Sequence, residues 1–173
     1  MKHFLLLFLF PLTFSGGAES VQYSPAFNLQ QLPDEQPKIE VVEEEDHTDY
    51  LLEALIQVES RGNENAVGDK HLSRPSVGVL QIRPIMVREV NRILKKHKVK
   101  KKYTLEDRYS REKSIEMFYI WQSFHHSDDS DEVIARCWNG GSKGWKRNST
   151  LYYWSKVQIE INNLKSQKLA NNE

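Results

Sequence analysis

Between Leu51 and Ile82 the chain reads LLEALIQVESRGNENAVGDKHLSRPSVGVLQI. Leu51, Leu52, Leu55 and Val58 recur at helical spacing, and Ala54 and Ile56 widen the stripe. The stretch therefore begins as a helix whose apolar side other elements must cover. Glu59 and Ser60 directly follow the last apolar residue, and polar, glycine-punctuated chain then returns to Gly78-Val79-Leu80-Gln81. A carboxyl at the end of a core helix can face a partly apolar cleft, where loss of hydration raises its pKa and suits it to donate a proton near neutral pH. By position alone, a solvated glutamate in a last helical turn is the commoner case. Assigning Glu59 as an acid requires residues elsewhere.

The N-terminal part predicts export. Met1-Lys2-His3 precedes an apolar run from Phe4 to Phe14, followed by Ser15-Gly16-Gly17-Ala18. This is the pattern of a secretory signal peptide over residues 1–18, too short for a membrane span. The expected location is periplasmic or secreted, with no membrane span after cleavage. Residues 19–46 contain Pro25, Pro33, Pro37 and the acidic run Glu43-Glu44-Glu45-Asp46 without apolar periodicity, which reads as a disordered linker. Of 24 acidic residues, eight lie at or before Asp46, against two of 24 basic ones. The neutral whole thus conceals a remainder with about six excess positive charges. Cys137 is the single cysteine, so no internal disulfide can form and the fold must rest on its core.

Residues 47–165 are expected to form one mostly α domain, followed by a polar tail over 166–173. Pro84 opens a second helix reaching about Lys98, with Met86, Val87, Val90, Ile93 and Leu94 on one side. Ser110 is placed to cap a third, Arg111 to about Phe124, rich in apolar and aromatic residues. Asp129 or Ser130 caps a fourth, Asp131 to Trp138, which stops at Asn139-Gly140-Gly141. A fifth starts near Thr150 and runs through Leu151, Trp154, Val157 and Ile161 to about Leu164. The lysine run from Lys95 to Lys102 invites a nucleic-acid reading, but export and the lack of a nucleic-acid motif argue against one. His125, His126, Asp128 and Asp129 crowd one loop without the spacing of a zinc site, and no metal is assigned.

Four separated pieces carry a resemblance. Glu59-Ser60, Gly78-Val79-Leu80-Gln81-Ile82, Trp138-Asn139-Gly140-Gly141, and Thr150 with Tyr153 and Val157 resemble, in order, motifs of the lytic transglycosylase family, whose fold is that of goose-type lysozyme. The family pattern is Glu-Ser, Gly-Leu-Met-Gln, Ala-Tyr-Asn and a late tyrosine followed by valine. Departures here are Val79-Leu80 for Leu-Met and Cys137-Trp138 for Ala-Tyr. The resemblance spans about Tyr50 to Val157. It implies a lysozyme-like helical domain with a substrate cleft, binding peptidoglycan glycan strands, acting as a monomer and without a cofactor.

By this resemblance Glu59 is the catalytic acid and then base, and Gln81 and Asn139 contact sugar. Ser60 supports Glu59 or the following turn, and Gly78 lets backbone pass close to substrate or to the first helix. Trp138 stands where tyrosine is usual and is suited to stacking on a pyranose or to filling core volume. Tyr153 donates a hydrogen bond to the acid, with Tyr152 as a rival for that role. The reaction implied is cleavage of the muramic acid–glucosamine bond with formation of a 1,6-anhydro end. A hydrolytic muramidase is the alternative and would need a second carboxylate, for which Asp69 and Glu64 are the nearby candidates. A non-catalytic glycan-binding or envelope assembly protein is the third reading.

Overall fold

The computed structural model describes residues 49–171. The expected signal peptide (1–18) and linker (19–46) lie outside the described residues. Five α-helices follow one another: α1 (Tyr50–Ser60), α2 (Pro84–Lys96), α3 (Arg111–His125), α4 (Asp131–Gly140) and α5 (Leu151–Asn171). Among the described residues, β structure is confined to two isolated antiparallel bridges, Val67 to Val77 and Val77 to Ile82. The domain is therefore mostly helical and single, as the periodicity predicts.

Helix α1 is central. Leu51, Leu52, Ala54, Leu55 and Ile56 are buried, and the helix packs on α5 and α4. Each of the three leucines and Ile56, removed from water, contributes roughly 1.5–3 kcal/mol. Asp49 starts the helix, its carboxylate accepting the Leu52 amide at 3.0 Å, the cap that a short side-chain oxygen provides. Its other oxygen accepts from the Tyr119 hydroxyl at 2.9 Å, which ties the entry of α1 to α3.

Helix α2 begins on Pro84, whose missing N–H costs nothing in a first turn. It stops at Lys96, two residues before the expected end. The Lys98 amide returns to Lys95 O at 3.1 Å and the Val99 amide to Leu94 O at 3.0 Å, with Lys98 itself at φ 59°. This is a Schellman closure, achieved here without glycine. Ser110 caps α3 as expected, accepting from the Lys113 amide at 3.3 Å. The buried residues of α3 include Met117, Phe118, Ile120 and Trp121, whereas Ile115 and Tyr119 are only half-buried.

Helix α4 runs two residues past Trp138 and ends where Gly141 takes φ 76°. The stop is therefore Gly141, and Asn139 remains on the last turn. Helix α5 buries Tyr153, Val157 and Ile161, one residue per turn along a single stripe. It runs past the expected end near Leu164, because residues 166–171, within the expected polar tail, are also helical. No glycine or proline interrupts Ser166-Gln167-Lys168-Leu169-Ala170-Asn171, and most of these residues are competent helix formers.

Candidate active site

The chain leaves α1 through Arg61, which holds φ 55° while its amide donates to Gln57 O at 3.1 Å. Gly62 continues the reversal at φ 78°. The segment from 61 to 83 then folds back beneath α1 as a loop pinned by few but well-placed bonds. Val77 and Ile82 exchange backbone bonds of 3.2 and 2.9 Å around a tight turn, and Val77, Val79, Leu80 and Ile82 are buried. Ser60 fastens this loop to the helix end, its hydroxyl donating to Val79 O at 2.8 Å. Arg108, a buried residue with no signal in the sequence, holds the loop from the other side. Its guanidinium donates to Pro75 O at 3.2 Å, Ile82 O at 3.1 Å and Leu105 O at 2.7 Å.

Gly78 and Gln81 both have internal roles in this loop. Gly78 sits at φ 80°, and a Cβ there would lie 1.8 Å from the Arg108 carbonyl oxygen. The glycine thus serves the close approach of the Arg108 segment. Gln81 also has positive φ, 48°, and its carboxamide is engaged internally. The amide nitrogen donates to Gly78 O at 2.9 Å and Ala66 O at 3.2 Å, while the oxygen accepts from Ser76 at 3.0 Å. Gln81 lines the cleft but shapes its wall first, leaving little hydrogen-bonding capacity for a sugar.

An open cleft of about 1070 Å³ runs between this loop, the first turns of α2, the C-terminal ends of α3 and α4, and the segment after Gly141. That volume lies just above the roughly 300–1,000 Å³ of small-ligand sites and suits an extended ligand. Glu59, Asp69, Gln81, Trp138 and Asn139 all border it. Asn139 is exposed to the cleft. Trp138 is half-buried, with its ring edge-on to Phe118 at 5.2 Å and Trp121 at 5.1 Å, so it fills volume and lines the cleft at once. Glu64 is exposed and away from the cleft lining, whereas Asp69 borders it at φ 47°.

Glu59 is the titratable centre of this arrangement. Its side chain opens to the cleft but is otherwise enclosed, and burial pushes its pKa up to about 7. The opposing influences are the Tyr153 hydrogen bond and the positive charge of Lys156, while Asp69 adds to the rise. The Tyr153 hydroxyl donates to Glu59 Oε1 at 2.7 Å across a sequence separation of 94 residues. Burial, aided by the neighbouring Glu59 charge, holds the phenol well above its ordinary pKa, so it remains a donor. Tyr153 is 7 % exposed and Tyr152 is 74 % exposed, which separates the two rivals. Lys156 was not singled out in the sequence, although its position three residues after Tyr153 puts it on a neighbouring part of the same helical face.

The far wall of the cleft contains Glu89, which sequence reasoning missed, beside His125 and His126. Glu89 accepts Arg92 Nη2 at 2.6 Å on one oxygen and Nε at 2.8 Å on the other. His125 Nε2 lies 2.7 Å from Glu89 Oε1. The hydrogen bond from Arg92 dominates and lowers the Glu89 pKa to about 2. Beside it, His126 Nδ1 is 2.7 Å from Asp129 and its ring leans on Trp121 at 4.5 Å. Among the described residues no group of three His, Cys, Asp or Glu could hold a metal ion, and the two histidines are instead partnered by separate carboxylates. Cys137 is free and buried.

No protein-family model and no curated protein matches the sequence. Among solved structures, a chain from the crystal structure of Aeromonas hydrophila PliI in complex with Meretrix lusoria lysozyme is similar, with a TM-score of 0.53 and 19% identity. The match covers 65% of this chain and 88% of that one, and at such identity the likeness is one of fold.

Proposed function

We propose that the protein is a peptidoglycan lytic transglycosylase that cleaves the bond between N-acetylmuramic acid and N-acetylglucosamine. The observation carrying this reading is the pairing of Glu59 with Tyr153 at the edge of an open cleft, with burial raising the Glu59 pKa to about 7. A carboxyl of that kind is protonated often enough near neutral pH to act as a general acid, and its conjugate base is strong enough to recover a proton. Glu59 gives its proton to the glycosidic oxygen as the bond to the muramyl anomeric carbon breaks. The 2-acetamido carbonyl oxygen bonds to that carbon in its place. The carbon-6 hydroxyl then attacks the same carbon, displaces the acetamido oxygen and returns its proton to Glu59, closing the 1,6-anhydro ring. Tyr153 is a positioning residue, since it holds the carboxyl rather than the sugar. Asn139 supplies an exposed amide for glycan hydroxyl or acetamido groups.

No helix of the described residues is long and apolar enough to cross a membrane. Action on the cell wall would follow export, which residues 1–18 are expected to direct.

One observation favours a second reading, hydrolysis by the same acid. Asp69 borders the cleft with Glu59, and its charge acts on Glu59, so it is the carboxylate available to orient water. Mass spectrometry of products from purified peptidoglycan separates the two. Anhydro-ended muropeptides, lost in Glu59→Gln, support the transglycosylase. Reducing ends alone would replace it with the hydrolase, and digestion that persists in Glu59→Gln would remove both.

A further inference from the structure

Helix α2 presents two chemically different sides. Ile85, Met86 and Glu89 border the cleft, whereas Pro84, Val87, Arg88 and Asn91 border a separate groove of about 540 Å³ that shares no lining residue with it. The groove is completed by Arg74 and by the chain from Lys102 to Leu105. Arg74, Arg88 and Lys102 are exposed and make no ion pair among the described residues, while nearby Lys101, Arg92 and Lys113 are each paired with a carboxylate. No acidic side chain lines the groove. Between Arg83 and Lys102 the chain carries nine Lys and Arg against the one acid Glu89, and Glu89 is already held by Arg92 on the opposite side. The lining itself is therefore net positive; of the carboxylates just behind it, Asp107 and Glu116 are held by Lys113 and Lys101, and Glu106 follows Leu105 in the chain.

We propose that this groove is a second binding site, for a phosphodiester polymer built on a small polyol. Three unpaired cations around a concavity suit successive phosphates, and two of them are guanidiniums able to take phosphate oxygens in pairs. The floor is aliphatic: Pro84 and Val87 are buried and Leu105 is 46 % exposed. It offers no aromatic face for a base, since Tyr103 is 2 % exposed and its hydroxyl is tied to Glu116. Nucleic-acid strands gain much of their affinity for such grooves from stacking on aromatic rings, which favours a polymer without bases. With α2 as the shared wall, polymer in the groove would lie alongside glycan in the cleft. The site does not depend on the glycan reaction.

The test is binding of fluorescently labelled poly(glycerol phosphate) to the full chain, followed by anisotropy across a salt series. Wild type and Glu59→Gln should bind alike, which separates this site from the glycan reaction. Replacing Arg74, Arg88 and Lys102 together with glutamine should weaken binding at least tenfold and flatten the slope of log affinity against log salt by about 2, the release expected for three phosphates. A control with Lys95, Lys98 and Lys100 changed to glutamine removes the same charge outside the groove and should cost less than threefold. Equal losses in the two triple variants would reduce the site to diffuse attraction and overturn the proposal. So would tighter groove-dependent binding of an oligothymidylate with the same number of phosphates. Thermal unfolding of both variants should match wild type, as these side chains are exposed.

Discussion

Glu59 and Glu89 border the same cleft, yet their surroundings drive them in opposite directions. Glu59 is enclosed at the end of α1, meets a neutral phenol, and has its pKa raised to about 7. Glu89 stands on α2, is gripped by a guanidinium and approached by an imidazole, and its pKa falls to about 2. A hydroxyl partner leaves the proton available, whereas a permanent cation removes it. Only the first environment makes a proton donor near neutral pH, and the second makes a fixed anion that orders a cleft wall.

The largest expected effect comes from abolishing the donor. On the proposed reaction, Glu59→Gln should lower turnover on purified peptidoglycan by about 10³-fold or more, while Glu89→Gln should lower it by less than about tenfold. Muropeptide release assays compare the two directly, and similar losses would erase the distinction. Next is Tyr153→Phe, which deletes the hydrogen bond that holds Glu59 and lowers its pKa. Turnover should fall about ten- to a hundred-fold, in line with the roughly 1.5–3 kcal/mol of a hydrogen bond to a charged group. The alkaline limb of the pH–rate profile should move upward from about 7. Tyr152→Phe, at an exposed position, should change neither.

Stability gives an independent reading of the same contrast. Glu59 has a folded pKa near 7 against an ordinary 4.5, so the folded state binds more protons than the unfolded state between those values. Its contribution to stability therefore falls as pH rises through that window, by at most about 3 kcal/mol at 1.36 kcal/mol per unit. Glu59→Gln should raise the melting temperature at pH 8 and change it little at pH 4. Glu89 has the opposite sign. Its folded pKa of about 2 lies below the ordinary 4.5, so its stabilisation is present above pH 4.5 and is lost as pH falls toward 2, to an extent reduced by its partial exposure to solvent. Glu89→Gln should lower the melting temperature slightly at pH 7. The smallest effect is expected for Lys156→Gln, which removes a positive charge that lowers the Glu59 pKa. It should shift the alkaline limb upward, by less than Tyr153→Phe does.

Much of this architecture was legible because apolar periodicity reports burial. Leu51, Leu52 and Leu55 read as the covered side of α1, and Val157 and Ile161 as that of α5, and these residues form the core. Placing Tyr153 against Glu59 required long-range packing of α1 on α5, which periodicity alone does not encode; the motif order supplied the pairing and the 2.7 Å contact is its physical content. What escaped the sequence was the use of polar side chains as internal ties. Gln81 bonds to its own loop, and Arg108 is buried on three carbonyls, although local sequence marks neither as different from an exposed residue. The Glu89 wall was missed for a related reason. Its partner Arg92 is local, but His125 comes from α3. The extension of α5 through Asn171 was legible from propensity and was obscured by polarity, which describes exposure and not conformation.

The most direct measurement is a carbon-13 NMR titration of the glutamate side-chain carboxyls, with the Glu59 signal assigned by its absence in Glu59→Gln. A midpoint near pH 7 in the wild type, moving higher in Tyr153→Phe, is expected. A midpoint near 4.5, unmoved by Tyr153→Phe, would contradict the claim that burial beside a phenol keeps this carboxyl ready to donate a proton.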